Sequence, residues 1–287
     1  MRSRFIEDHR EVSPVRVACP ASGVGASGYY AWRGRPESAG AGANRAPVED
    51  IRRVHAGGRR RHGSPRVHAS PRAEGGRVGR NRVARLVRKH GIRARRRRAF
   101  RGTTDSNRPF PPAPNPLDRK FTAAAPNRVW PADLTCIAAG EGWLYPAVVL
   151  DLFSRKVVGW AMSGTMPQEP TPAALRMAVT DRRPSPGLLH HPDRGGRHAA
   201  HDCRRVLDEH GMRRSMSRKG DRWDNAPMEG FFGSLKAEMD GDGPFETRQE
   251  ARSALFGFMG GWYNRRRLHP AIGYVTPADK EQLAAAA

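Results

Sequence analysis

Three carboxylates, Asp133, Asp193 and Glu229, are the residues of this chain whose types and spacing could do chemistry. Sixty positions separate the first two, and 35 residues lie between the second and the third. Asp133 lies in a strand-like run, Val129-Trp-Pro-Ala-Asp-Leu-Thr-Cys-Ile137. Asp193 follows a short apolar strand, in Leu188-Leu-His-His-Pro-Asp-Arg-Gly-Gly196. Glu229 opens a helix, in Trp223-Asp-Asn-Ala-Pro-Met-Glu-Gly-Phe-Phe-Gly-Ser-Leu-Lys236. Gathered on a small α/β sheet, three such acids offer hard oxygen ligands to two divalent cations. Such a site can clamp the attacking and leaving oxygens of a phosphodiester.

The elements that must position these acids are legible along the chain. Strands are expected near 129–137, 145–151 and 156–162, then helix 172–181, a strand from Gly187 to His190, helix 199–210 and a strand from Met212 to Met216. The Glu229 helix carries Met228, Phe231, Leu235 and Met239 on its core face, with Asp224 or Asn225 as its cap and Pro227 in the tolerated first turn. Glu229, Phe232, Gly233 and Lys236 share the adjacent stripe, so Lys236 is expected to hold a phosphate beside the reacting one. Arg218, Lys219 and Arg222, in the loop before that helix, are expected to track a nucleic-acid backbone. The last helix starts at Thr247 with Glu250 three residues on, a capping box, and packs through Leu255, Phe258, Met259 and Trp262. Asp151 reads as a turn residue near Ser154. His190 and His191 read as a structural pair, since Mg²⁺ does not favour imidazole.

Charge divides the chain. Of 51 Lys and Arg and 28 Asp and Glu, net +23, residues 1–120 hold 29 cations against 9 anions and residues 121–287 hold 22 against 19. The first part reads as a grip on a polyanion and the second as a folded catalytic body. Within the first part, Arg80-Asn-Arg-Val-Ala-Arg-Leu-Val-Arg-Lys-His90 reads as a short helix ended by Gly91. Val83, Leu86 and Val87 form its apolar face, ringed by Arg82, Arg85, Arg88 and Lys89 as DNA contacts. A second helix spans Val48 to His55, and another begins at Ser64-Pro65 with Pro71 inside it and Gly75-Gly76 after it. Two such helices and a Gly turn suggest a helix-turn-helix. Arg93 and Arg95–Arg98 add phosphate contacts. Residues 1–45 are weakly patterned, and Pro20 with Gly23, Gly25 and Gly28 argues against a stable helix there. Residues 105–126 carry six prolines and read as a stiff linker. The expected divisions are thus 1–45, a basic region at 46–104, the linker at 105–126 and the core at 127–283.

Cys19, Cys136 and Cys203 form neither a zinc spacing nor a disulfide framework, which fits a reducing cytosol. No signal peptide or membrane span is expected. A structural basic protein of ribosome or nucleoid fits the charge, but not the ordered acids of the near-neutral core.

The quoted segments resemble the transposase of a bacterial insertion sequence of the two-reading-frame kind, in the part that carries the integrase core. That family belongs to the Asp-Asp-Glu transposase and retroviral integrase superfamily. The likeness extends to Ala147-Val-Val-Leu-Asp-Leu-Phe-Ser-Arg-Lys-Val-Val-Gly-Trp-Ala-Met162, Ser215-Met-Ser-Arg-Lys-Gly-Asp221 and Trp262-Tyr-Asn-Arg-Arg-Arg-Leu-His269. Periodicity alone indicates only an α/β fold. The resemblance implies a ribonuclease H-like integrase core, a mixed five-stranded sheet with helices, preceded by a small basic helical helix-turn-helix-like region. Its first and fourth strands are neighbours, which would bring Asp133 and Asp193 together. Like charges that close repel, and two Mg²⁺ ions, with Mn²⁺ as a substitute, would relieve this. Arg265, Arg266 and Arg267 resemble a DNA-contacting tail.

The resemblance further implies metal-dependent cleavage and strand transfer at element ends and target DNA, without a covalent protein–DNA intermediate. It implies an upstream-frame helix-turn-helix partner or fusion, a homo-oligomer, and a cytoplasmic, nucleoid-associated location. Pro71, Pro131, Pro146 and Pro192, with Arg197-His198 and Gly230, depart from the family pattern. They raise the alternative of a decayed, non-catalytic copy that occupies element ends or inhibits an active relative. A plain nuclease of the same fold is a further alternative, told apart by a lack of strand-transfer product.

Overall fold

The computed structural model describes residues 1–70, 78–94, 115–165, 170–192, 197–215, 222–239 and 244–286, with the backbone alone for 197–200 and 222–223. By Cα proximity the chain forms two units, Met1–Ile51 and Arg52–Ala287. The first contains helices α1 (Arg2–Asp8), α2 (Val15–Ala21), α3 (Ala26–Arg33) and α4 (Ala39–Gly42), and the start of α5 (Arg45–Gly57). Ile6, Cys19 and Tyr29 are its buried core, with Val15, Val24 and Trp32 packed against them. The Tyr29 hydroxyl also donates to Glu7. This corrects the expectation that no stable helix forms here. Of the expected breakers, Gly25 precedes α3 and Gly23 takes the left-handed conformation just after α2, at φ +63°, while Pro20 and Gly28 lie inside α2 and α3.

In the second unit α6 (Ser64–Ala69) and α7 (Arg80–Lys89) pack together, and Val67, Val83 and Leu86 are buried. Gly91 follows α7 with φ +62°, as its sequence position suggested. Pro71, Gly75, Gly76 and Arg95–Arg98 lie outside the described residues. The second half of the supposed linker is not an extended spacer. Leu117 is buried, and Asn115 and Arg119 bond to Asp224 of the core.

The core sheet contains β1 (Val129–Leu134), β2 (Ile137–Ala139), β3 (Gly142–Leu150), β4 (Val157–Ser163), β5 (Leu189–Pro192) and β6 (Arg213–Arg214). β2 continues β1 along β3 in the same register, so the lateral order is β4-β3-β1/β2-β5-β6. β4, β3 and β1 are antiparallel neighbours, and β1, β5 and β6 run parallel, the mixed five-stranded arrangement expected. The break between β1 and β2 has a cause in Pro146. Thr135 N–H donates to the Pro146 carbonyl at 3.0 Å, and proline has no N–H to return the bond. The missing donor therefore falls at an interruption rather than inside a ladder.

Both faces of β3 are buried, and its apolar residues alternate between two cores. Leu144, Val148 and Leu150 meet α10 (Ala226–Met239), α11 (Arg248–Phe256) and the π-helical turns Gly257–Tyr263. Ala147 and Val149 meet α8 (Thr171–Arg182) and α9 (Arg197–Glu209). α8 comes so close to β4 that a Cβ on Gly159 would lie 2.2 Å from the Ala174 carbonyl oxygen. α12 (Pro277–Ala285) ends the described core, and its Glu281 accepts from both Arg182 Nη atoms, from Lys156 Nζ and from Ser154 Oγ. None of the described helices is long and apolar enough to cross a membrane.

Candidate active site

The parallel β1–β5 ladder ends with Ala132 beside Pro192, one residue before Asp133 and one before Asp193. Asp193 itself lies outside the described residues. Asp133 is half-buried, and its Oδ1 accepts the Leu134 N–H at 2.7 Å. Glu229 is half-buried in the first turn of α10. Buried Asn225, in the 3-10 turn just before α10, donates through Nδ2 to the Ala132 carbonyl at 3.4 Å. The start of the Glu229 helix is thereby tied to the residue preceding Asp133. Among the described residues no three His, Cys, Asp or Glu converge on a metal position. Asp133 and Glu229 nevertheless carry carboxylate oxygens, the donor type that Mg²⁺ and Mn²⁺ take.

Neighbouring polar side chains act as scaffold. His191 is fully buried, with Nδ1 2.7 Å from Ser215 Oγ and Nε2 3.1 Å from the Asp224 carbonyl oxygen. It joins the end of β5 to the segment after β6 and to the turn before α10. His190 Nδ1 meets the Trp130 carbonyl at 3.1 Å, and burial pushes its pKa down to about 4, so it is neutral at pH 7. Asp151 is buried and accepts N–H bonds from Phe153 and Ser154 on one oxygen and from Asn127 and Trp130 on the other. That is turn chemistry, not ligand chemistry. Asp224, expected as a helix cap, instead accepts from Asn115 and Arg119.

The expected DNA contacts fare differently. On α7, Arg82 is half-buried while Arg85, Arg88 and Lys89 are exposed. Lys236 is half-buried, seven residues after Glu229 on the same stripe of α10. Arg218 and Lys219 lie outside the described residues, and of Arg222 only the backbone is described. Arg265 and Arg266 are exposed, but Arg267 is buried. Its guanidinium pairs with Glu238 at 3.4 Å and donates to Ser234 Oγ at 2.8 Å. Arg267 is therefore corrected from a DNA contact to an internal ion pair. Asn264 likewise turns inward, exchanging two 2.9 Å bonds with the Val157 backbone. Asn225, His191 and Glu238 were not singled out as site-forming residues from sequence. The one local signal was the Asp224-Asn225 pair before α10.

Comparison with known proteins matches an HTH-like domain at residues 43–100 and integrase core domains at 123–222 and 210–277. A Shigella sonnei protein described as an insertion element IS600 uncharacterized 31 kDa protein is 41% identical over 261 residues, 91% of this chain and 96% of that one. Transposase InsF for insertion sequence IS3A of Escherichia coli (strain K12) is 34% identical over 290 residues, 98% of both chains. Among solved structures, the HTLV-2 integrase catalytic core domain in complex with magnesium (trimeric form) covers 55% of this chain and 99% of its own, at 15% identity and TM-score 0.40.

The mixed sheet and the matched domains define a DNA transposase of the Asp-Asp-Glu type, a polynucleotidyl transferase with an integrase core. The chain belongs to the family of insertion-sequence transposases that includes InsF of IS3. Nothing in these comparisons favours a decayed copy.

Proposed function

We propose that Asp133, Asp193 and Glu229 are the metal-binding and catalytic carboxylates of this transposase. The observation that supports this most is the convergence of three elements. β1 and β5 end their shared ladder immediately before the two aspartates, and Asn225 ties the first turn of the Glu229 helix to Ala132. Bound there, two Mg²⁺ ions, for which Mn²⁺ can substitute, supply Lewis-acid activation and neutralise charge at the entering and leaving oxygens.

The chain's own residues hold and align the DNA. Lys236, on the Glu229 stripe, takes a phosphate flanking the scissile one. Arg82, Arg85, Arg88 and Lys89 on α7 grip the element end, while Arg265 and Arg266, with Arg218, Lys219 and Arg222, neutralise further phosphates. In the first step water displaces a 3′-oxygen at the element end, which leaves as a 3′-hydroxyl. In the second, that hydroxyl attacks a target phosphodiester and expels another 3′-oxygen. The divisions 1–45, 46–104, 105–126 and 127–283, a homo-oligomer, an upstream-frame partner or fusion, and a cytoplasmic, nucleoid-associated location belong to the same proposal.

The test incubates the chain, alone and with the upstream-frame protein, with a labelled duplex bearing the flanking element end and Mg²⁺ or Mn²⁺. Asp193→Asn runs in parallel. Nicked and joined products from the wild type alone support the reading. Equal products from the variant sink the assignment of Asp193, and nicking that never yields joined product points to a nuclease.

A further inference from the structure

Glu238 follows Glu229 on α10 by nine residues, which puts the two on opposite faces of the helix, about 13 Å apart along its axis. The Glu229 face also carries Lys236. The opposite face is gripped from outside the helix by Arg267, which reaches Glu238 Oε1 at 3.4 Å and Ser234 Oγ at 2.8 Å. The side chains of the ion pair are only 6% and 4% exposed. Burial pushes the Glu238 carboxyl up, against the pull of Arg267, Arg61 and Arg66. The Arg267 guanidinium is itself braced, lying 5.5 Å from the centre of the Tyr263 ring. Two grips one turn apart on a single face resist rotation of a helix about its axis, which a single contact does not.

The gripping segment is held in turn by the basic region. Arg66 of α6 donates through Nε to the Leu268 carbonyl at 3.1 Å, one residue past Arg267. Arg59 sits over the Trp262 ring at 5.5 Å. A continuous set of contacts therefore runs from α6 through residues 262–268 to the back of α10.

We propose that Arg267 and Glu238 are positioning residues that set the rotation of α10, and so the aim of Glu229, and that Arg66 couples this setting to the docking of the DNA-binding region. This rests on Glu229 being a catalytic carboxylate. Because these residues act through α10, their loss slows the reaction without weakening end binding. A displacement of about 1 Å in a catalytic group can cost on the order of a hundredfold in rate.

The experiment is single-turnover cleavage of a labelled element-end duplex with Mg²⁺, supplemented with the upstream-frame protein. It compares wild type with Glu229→Gln, Glu238→Gln, Ser234→Ala, Arg66→Ala and Arg267→Lys. Amide hydrogen exchange of α10 and the dissociation constant for the duplex are measured on the same proteins. Glu238→Gln is expected to lower the rate constant at least tenfold at full amplitude, with faster exchange in α10 and unchanged end affinity. Ser234→Ala and Arg66→Ala should give smaller falls in the same direction, and Arg267→Lys partial retention. A purely structural role lowers amplitude and leaves the rate constant alone. The proposal is overturned if every variant that unfolds cooperatively keeps the wild-type rate constant and exchange profile. Undiminished cleavage by Glu229→Gln would instead remove the catalytic reading beneath it. Ser234→Ala deletes only one hydroxyl, so at least one variant retains the fold.

Discussion

Asn225 and Ala132 tie the Glu229 helix to β1: the Asn225 amide donates to the Ala132 carbonyl at 3.4 Å, joining the turn before α10 to the strand position that precedes Asp133. Neither residue carries charge, so removing the bond changes geometry without changing the site's electrostatics. Asn225→Ala is expected to slow single-turnover cleavage by about tenfold to a hundredfold, the range for a small misplacement of a reacting group. Affinity for the element end should stay within twofold. Unaltered cleavage by a folded Asn225→Ala protein would show that the strand and helix hold their relation without this bond.

The run Arg265-Arg266-Arg267 divides by burial into two exposed cations and one internal one. Arg265→Ala and Arg266→Ala should each weaken binding to any duplex and reduce the slope of log affinity against log salt by about one, with little change in thermal stability. Arg267→Ala should do the reverse. It strands Glu238 as a buried charge, at a cost of about 3–5 kcal/mol of stability, while the salt slope stays put. Titrations at several salt concentrations together with thermal melts separate the two patterns, and a reduced slope for a folded Arg267→Ala protein would restore its role as a DNA contact.

Several features were legible because local chemistry decided them. The apolar stripe Met228, Phe231, Leu235 of α10 is buried, Thr247 Oγ1 accepts the Glu250 N–H at 3.1 Å, and Gly91 takes the left-handed conformation after α7. Arg267 does not stand out in sequence, because three consecutive arginines look alike there. Only the tertiary placement of Glu238 selects one for burial. β1 and β2 read as one strand in sequence because the two share a register. What sequence did not reveal was that the proline opposite would break the strand there. Pro20 and the N-terminal glycines read as breakers, yet Gly23 and Gly25 stand where helices stop and start, and Pro20 and Gly28 are accommodated inside α2 and α3. Glu281 carries no local signal in sequence, because its partners lie about a hundred residues or more away.

Two buried histidines, His62 and His190, and half-buried His269 make the fold sensitive to mild acid. Burial comes first, with neighbouring cations adding to it at His62 and His269; the pKa is pushed down to about 4 at His62 and His190 and to about 3 at His269. The unfolded chain takes up these protons as pH falls through about 6.5, whereas the folded chain resists until about 4. Protons therefore favour the unfolded state. Stability is fully present above pH about 6.5 and is lost as pH falls toward 4, by on the order of 3 kcal/mol for His190 alone. His190→Asn, whose amide can still donate to the Trp130 carbonyl, should lower stability at pH 8 yet flatten its fall between pH 6.5 and 4. Equal slopes for the two proteins in that window would show that His190 does not drive the acid sensitivity.

A second acid transition belongs to Glu281 and lies lower. Burial raises its carboxyl pKa, but the bonds and charges of Arg182 and Lys156 outweigh this and leave it below the ordinary carboxylate range. The unfolded chain thus protonates Glu281 first, so its contribution is present above pH about 4.5 and disappears as pH falls through the lower folded value. Glu281→Ala should cost about 2–4 kcal/mol near neutrality, since Arg182 is left largely buried and unpaired. The loss should shrink below pH 4, where wild type sheds the same interaction. Because the clamp joins α12 to α8 and to the β3–β4 turn, away from Asp133 and Glu229, the cleavage rate constant of the folded variant should match wild type. Chemical denaturation at pH 7 and pH 3.5 measures the convergence, and a stability difference that stays constant between them would mean that the carboxyl is not ion-paired in solution.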